Sequence, residues 1–179
     1  MFGFGHQNRL ENDPFTMAPV PFRIRDFEAE DFERLWQIDQ ECFPPGISYS
    51  RPELKSYIRR RGAFTLVAEA ERGRDKAAGV DGGRRAAIGG FIVAYGGPTG
   101  HIITIDVLGP TRRSGLGSQL LAAAEERLRA SGSRAVGLET AVDNQPAIAF
   151  YKSHGYSVVA TWPRYYPNGV DALVMKKQM

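Results

Sequence analysis

The chain has little of what metal and redox chemistry uses. Of its 179 residues one is cysteine, Cys42, and three are histidine, His6, His101 and His154. A single thiol makes neither an internal disulfide nor a cysteine-rich metal site. The histidines do not fall at H-E-x-x-H spacing. Long apolar runs are missing too. No stretch approaches the roughly 20 residues that span a bilayer, and the N-terminus lacks the apolar segment of a secretory signal. These absences predict a cytoplasmic protein with no metal and no membrane partner. Charge of one sign is also scarce: 23 Lys and Arg against 20 Asp and Glu leave a net +3. That suits an anionic ligand and argues only weakly for nucleic acid, for which Arg59-Arg60-Arg61 is the one local hint. Neither G-x-G-x-x-G with a following acid nor a P-loop Gly-Lys-Ser/Thr occurs, which argues against a dehydrogenase or a nucleotide hydrolase.

What remains is ordinary globular composition, 42% hydrophobic and 24% charged, in a length that suits one core. Residues 1–20 read as a flexible tail and 21–179 as a single domain. Alternation at 22–25 predicts a strand. Helical spacing of Phe32, Leu35, Trp36, Ile38 and Cys42 predicts a helix over 28–41. Phe43-Pro44-Pro45-Gly46 stops it, and Ser50 with Glu53 forms a capping box for a second helix. Strands follow at 63–70 and 86–95, joined by a charged, glycine-bearing hairpin loop at 71–85. Further strands are expected at 102–108, 135–140, 156–162 and 170–175, with helices at 116–130 and 147–154. This order argues for a mixed α/β sheet with helices on both faces.

The stretch Arg112-Arg113-Ser114-Gly115-Leu116-Gly117-Ser118 organises the rest. It lies between an apolar run and an amphipathic one, so it reads as a turn from strand to helix. Such a turn aims several backbone N–H groups at one spot, at the positive end of a helix dipole. Arg112 and Arg113 add full charges. The pattern suits a phosphate or pyrophosphate. The glycines can equally serve close packing of helix on strand, and the stretch alone does not choose.

Residues downstream narrow the choice. From 102 to 175 the chain resembles the GNAT superfamily of acetyl-CoA-dependent N-acetyltransferases. Arg112-x-x-Gly115-x-Gly117 after Thr104-Ile105-Asp106-Val107 is similar to that family's pyrophosphate motif. Leu138-Glu139-Thr140, Asp143-Asn144, Ala147-Ile148-Ala149-Phe150-Tyr151 and Gly155-Tyr156 follow at the family's spacing. Arg164-Tyr165-Tyr166-Pro167, Asp171-Ala172-Leu173-Val174-Met175 and Phe43-Pro44 resemble the branch that acetylates N-terminal alanine of ribosomal proteins. The resemblance implies a mixed, mostly antiparallel sheet with a splayed strand pair that holds acetyl-CoA. It implies a protein or peptide N-terminus, possibly a ribosomal protein's, as acceptor. By the same resemblance Ile105, Asp106 and Val107 contact the pantetheine arm by backbone. Arg113, Ser114, Gly115, Leu116, Gly117 and Ser118 hold the pyrophosphate, Arg112 adds charge, and Asn144 hydrogen-bonds pantetheine or the catalytic loop. Glu139 matches the general base and Tyr151 the general acid. Tyr49, Tyr165 and Tyr166 border the acceptor.

The chemistry suits those residue types. An α-amine is largely protonated at neutral pH, with a reference pKa near 7.7–8.0. A carboxylate can take its proton, and a tyrosine hydroxyl can donate one to the departing thiolate. No covalent enzyme intermediate is needed, and Cys42 lies in the wrong region of the sequence for one. Other readings stay open. Asp106 is a rival base or a structural acceptor, and His154 reads as an exposed cation at a helix end. The loop after Glu139 departs from the branch at Ala141 and Asp143. Asp143 puts negative charge near the acceptor, which suits a cationic N-terminus or a lysine. A small-amine acetyltransferase and a non-catalytic acetyl-CoA sensor are the alternatives.

Overall fold

The computed structural model describes residues 21–71 and 86–179. The expected N-terminal tail and most of the expected hairpin loop lie outside these residues. In chain order the elements are β1 (Phe22–Asp26), α1 (Phe32–Cys42), α2 (Arg51–Ile58), β2 (Ala63–Ala70), β3 (Ile88–Tyr95), β4 (Thr99–Val107), α3 (Leu116–Ala130), β5 (Ala135–Ala141), α4 (Gln145–Ser153), β6 (Ser157–Trp162) and β7 (Ala172–Gln178).

Local chemistry sets most of the boundaries. The helix expected from 28 starts at Phe32, because Ala29–Asp31 form a 3-10 turn. There the Asp31 carboxylate accepts the Glu28 N–H at 2.8 Å and pairs with Arg25 at 2.7 Å. The Ser50–Glu53 capping box forms as expected, with the Ser50 N–H donating to Glu53 at 2.8 Å. Asn144 caps α4 by accepting the Ala147 N–H at 3.2 Å, so α4 starts earlier than its apolar spacing predicts. β7 runs past 175 because β5 pairs with it as far as Gln178.

The strands form one seven-stranded sheet in the order β1-β2-β3-β4-β5-β7-β6. Neighbours are antiparallel except β4 and β5, which the α3 crossover makes parallel. That pair is brief. Thr99, Gly100 and His101 face Ala135, Val136 and Gly137, and pairing stops there. Beyond it β4 and β5 diverge into a gap, the splay implied by the family resemblance.

Helices cover both faces. The α3 stripe of Leu116, Leu120, Leu121, Ala124 and Leu128 packs with Ile92, Ile102, Leu138 and Met175, and Tyr151 of α4 joins it. On the opposite face Leu35 and Ile38 of α1 and Leu54 of α2 pack on Val67, Phe91 and Val93. Alternation along β2 and β3 feeds both clusters. Each fully buried leucine contributes about 1.5–3 kcal/mol over an exposed one. Among the described residues no helix is long and apolar enough to cross a membrane.

Candidate active site

The turn before α3 is built for its backbone. Arg113 and Gly115 have φ of 61° and 86°, both left-handed. A side chain on Gly115 would meet nothing within 4 Å, and one on Gly117 would reach Phe150 at an ordinary 3.4 Å. Close packing therefore does not account for either glycine. The left-handed backbone does for Gly115, since residues with a Cβ are strained there. Among the described residues no backbone carbonyl engages an N–H from Arg113 to Ser118. Arg112 Nε donates to the Val107 carbonyl at 2.8 Å, and Ser114 Oγ to the Thr111 carbonyl at 2.7 Å, so side chains brace the loop from below. Leu116 is buried in the core and offers the turn only its backbone. Six amides without backbone partners thus lie together at a helix N-terminus beside two arginines, an arrangement that favours negative charge.

This turn closes one end of a cleft of about 730 Å³ that runs into the gap between β4 and β5. Ile105, Val107, Arg112, Arg113, Gly115, Gly117 and Ser118 line it from one side, with Glu139, Asn144, Tyr151, Tyr49 and Tyr166 also on its wall. Asp106, Ser114, Leu116 and Tyr165 are not among the lining residues. The gap matters because Glu139 and Leu138 are neighbours on β5 and point to opposite faces. Leu138 belongs to the α3 core with Tyr151. Only where the sheet is open can Glu139 and Tyr151 border one space.

Glu139 has a partner that motif reading does not reveal. His101 Nε2 lies 3.0 Å from Glu139 Oε2. The imidazole stacks on Tyr95, centroids 5.2 Å apart, and the Arg60 guanidinium lies 4.0 Å from the Tyr95 ring centroid. His101 is the last paired residue of β4 and Glu139 follows the last paired residue of β5 by two. No local spacing announces this, because parallel strands meet only through tertiary register.

Tyr151 is 6% exposed, and its hydroxyl has no hydrogen-bond partner among the described residues. Burial pushes its phenol above the usual range, with the Asp106 charge adding to the effect. The hydroxyl therefore stays protonated at neutral pH and suits a proton donor. Asp106 is a different case. Its carboxylate is sealed inside the fold, accepts the Thr104 hydroxyl, and keeps one oxygen without a partner. Burial raises its carboxyl well above the usual range. A group closed off from the cleft is poorly placed as a base, and the structural-acceptor reading accounts for its contacts.

Asn144 divides its amide: Oδ1 caps α4 while the residue borders the cleft. The tyrosines differ from one another. Tyr49 is held in place, its hydroxyl donating to the Ile103 carbonyl at 3.4 Å and its ring edge-on to Tyr57 at 5.0 Å. Burial raises its phenol, and burial next to Tyr165 raises that of Tyr166. Tyr165 is exposed, packed between Trp162 and Tyr166 at 5.5 and 5.1 Å. Asp143 is close enough to act on Tyr166. The expectation of an exposed His154 fails. Its ring is half-buried, tilted against Phe150, and bonded across to Ser118 on α3.

The profile of the Acetyltransferase (GNAT) family matches residues 32–156. The chain belongs to that family. An N-alpha-acetyltransferase of Sulfurisphaera tokodaii is 39% identical over 77 residues, covering 42% of this GNAT chain and 46% of the relative. The chain thus spans about half the length of the curated relatives it matches, 44% for an uncharacterized Mycobacterium leprae protein. Among solved structures, Ard1 from Thermoplasma volcanium superposes with a TM-score of 0.74 at 25% identity, over 88% of this chain and 97% of its own. The ribosomal-protein-S18-alanine N-acetyltransferase from Escherichia coli superposes with 0.69 at 22% identity, over 88% and 94%, a likeness of fold.

Proposed function

We propose that this chain transfers acetyl from acetyl-CoA to the N-terminal α-amine of a protein or peptide, a ribosomal protein being one candidate. The observation that carries the reading is that Glu139 and Tyr151 open onto the cleft closed by the Gly115 turn. The turn suits the donor because its amides have no backbone carbonyl partner among the described residues and its glycines and arginines line the cleft. Acetyl-CoA supplies an activated acetyl thioester when bound. The amides from Arg113 to Ser118 hold its pyrophosphate, with charge from Arg112. The open edge of β4 at Ile105, Asp106 and Val107, together with Asn144, receives the pantetheine arm. Glu139, oriented by His101, takes the proton that an α-ammonium must lose before nitrogen attacks. Tyr151, whose hydroxyl is protonated at neutral pH, gives a proton to sulfur as it leaves.

Exposed Trp162 and Tyr165 beside Tyr166 favour an extended acceptor over a small enclosed amine. Aromatic surface of this kind gains by covering a peptide backbone. A cytoplasmic location goes with this reading. The test is acetyl transfer from acetyl-CoA to panels of N-terminal peptides, lysine peptides and small amines, read by mass spectrometry, with Glu139→Gln alongside. Transfer to α-amines, cut by about 10²-fold or more in the variant with coenzyme binding intact, is expected. Transfer to small amines alone, or unchanged turnover in the variant, overturns the acceptor or the base respectively.

A further inference from the structure

Both ring nitrogens of His154 are engaged. Nδ1 is 2.8 Å from the Phe150 carbonyl oxygen, and Nε2 is 2.9 Å from Ser118 Oγ. Ser153 Oγ donates to the same carbonyl at 2.7 Å and lies 3.2 Å from Nδ1. A carbonyl oxygen only accepts, so Nδ1 carries a proton. The state of Nε2 then dictates what Ser118 does. In the neutral ring Nε2 is an acceptor, and the Ser118 hydroxyl must donate to it. The lone pairs of Ser118 are then what the hydroxyl shows to the cleft it lines. In the protonated ring Nε2–H donates to Ser118 Oγ instead. The Ser118 proton is released toward the cleft, and a positive charge stands one hydrogen bond behind it.

We propose that His154 is a positioning residue for the donor's pyrophosphate, acting through Ser118, whose hydroxyl it turns into a donor toward the anion when the ring is protonated. This rests on the acetyl-CoA reading of the turn. Binding of the anion and protonation of His154 favour each other, so affinity for the coenzyme falls as pH rises. The contacts of the ring itself, Phe150, Ser153 and Ser118, carry no charge. Lys177 on β7, whose stem lies beside Gly155, is paired with Glu125 of α3 at 2.6 Å. Lys152 on α4 and Arg113 on the turn are exposed to solvent, and Arg112 is bonded to Val107. Among the described residues the imidazole is the one titratable group that bonds Ser118 directly.

The experiment titrates coenzyme A into the wild-type chain, His154→Gln and Ser118→Ala by calorimetry between pH 5.5 and 8.5. Glutamine keeps a neutral hydrogen bond to Ser118, and the coenzyme's own phosphate titration is common to all three proteins. Wild-type affinity is expected to fall by about tenfold more than that of His154→Gln over this range, with Ser118→Ala showing a much reduced fall. Parallel curves for wild type and His154→Gln overturn the proposal. Full pH dependence in Ser118→Ala overturns the route through Ser118. As a second readout, the imidazole nitrogen resonances at pH 7 shift toward the imidazolium form on adding coenzyme A, and unmoved resonances count against it. Failure of the wild type to bind coenzyme A at any pH overturns the acetyl-CoA reading together with this one.

Discussion

The imidazole of His101 and the carboxylate of Glu139 meet at 3.0 Å just beyond the last rung between β4 and β5. The contact spans the only parallel junction among the described strands. Stacking on Tyr95 fixes the ring plane, so the carboxylate is held from one side while its other face stays on the cleft. A base whose rotamer is set beforehand loses less freedom on reaching its proton.

Replacing His101 by alanine removes that orientation without touching the donor turn. Turnover is expected to fall about tenfold to a hundredfold, with the dissociation constant of acetyl-CoA unchanged within about twofold. Steady-state kinetics with calorimetry separates the two. A rise in that dissociation constant with normal turnover would assign His101 to the donor instead.

Tyr151→Phe deletes one oxygen from a buried ring and leaves the packing of α4 in place. Turnover should drop by about 10²-fold while the melting temperature moves little. Because burial raises the Tyr151 phenol, the proton-donating form persists well past pH 9. The wild-type rate therefore shows no decline attributable to this group between pH 7 and 9. A tyrosinate signal in ultraviolet difference spectra over that range, absent from the variant, would contradict this.

Gly115→Ala tests the turn through its backbone alone. Its φ of 86° is unfavourable for alanine, yet no atom obstructs the added methyl. The expected cost is about 1–2 kcal/mol, taken as lower stability or as a loop relaxed away from its left-handed form. Relaxation misaims the amides, so acetyl-CoA affinity falls at least tenfold. Unchanged affinity and melting temperature would refute the role of this geometry.

Asp39 makes stability depend on pH. It is fully buried in α1, where one carboxylate oxygen accepts the Tyr49 N–H and the Gln40 amide at 2.8 Å each and the other has no partner. Burial pushes its carboxyl up to about 6, against about 3.9 in an unfolded chain. The folded state thus holds a proton that the unfolded state has already lost. Its stabilising effect is full below about pH 4 and disappears as pH rises through 6, a swing of order 3 kcal/mol at most. Asp39→Asn keeps an acceptor and has no charge to bury. Thermal melts should show the variant gaining on wild type between pH 4 and 7.5, and a constant difference would count against the account.

Local rules go far with this chain. The stripe on α3, the Ser50–Glu53 box and the left-handed Gly115 all act over a few residues, so they are readable before any tertiary structure exists. The gap between β4 and β5 is not of that kind; it entered through family resemblance, since nothing in residues 99–107 or 135–141 says where pairing stops. The partnership of His101 with Glu139 was hidden for the same reason, 38 positions apart and joined by parallel register. His154 misled for a different reason. The end of a short helix before a glycine usually faces water, but here the first turn of α3 packs across it. For Asp106, alternation correctly separates it from Ile105 and Val107, while only the packed structure shows the carboxylate sealed against Thr104.

With three rungs as the only ladder between them, the sheet is two ribbons, β1 to β4 and β5 with β7 and β6. The Gly115 turn hangs from the first ribbon. The tyrosine-bearing connection between β6 and β7 hangs from the second. Substitutions that reshape one ribbon's loops leave the other's hydrogen-bond ladder intact. A lineage built on this frame can therefore exchange the amines it modifies while inheriting its acetyl source unaltered.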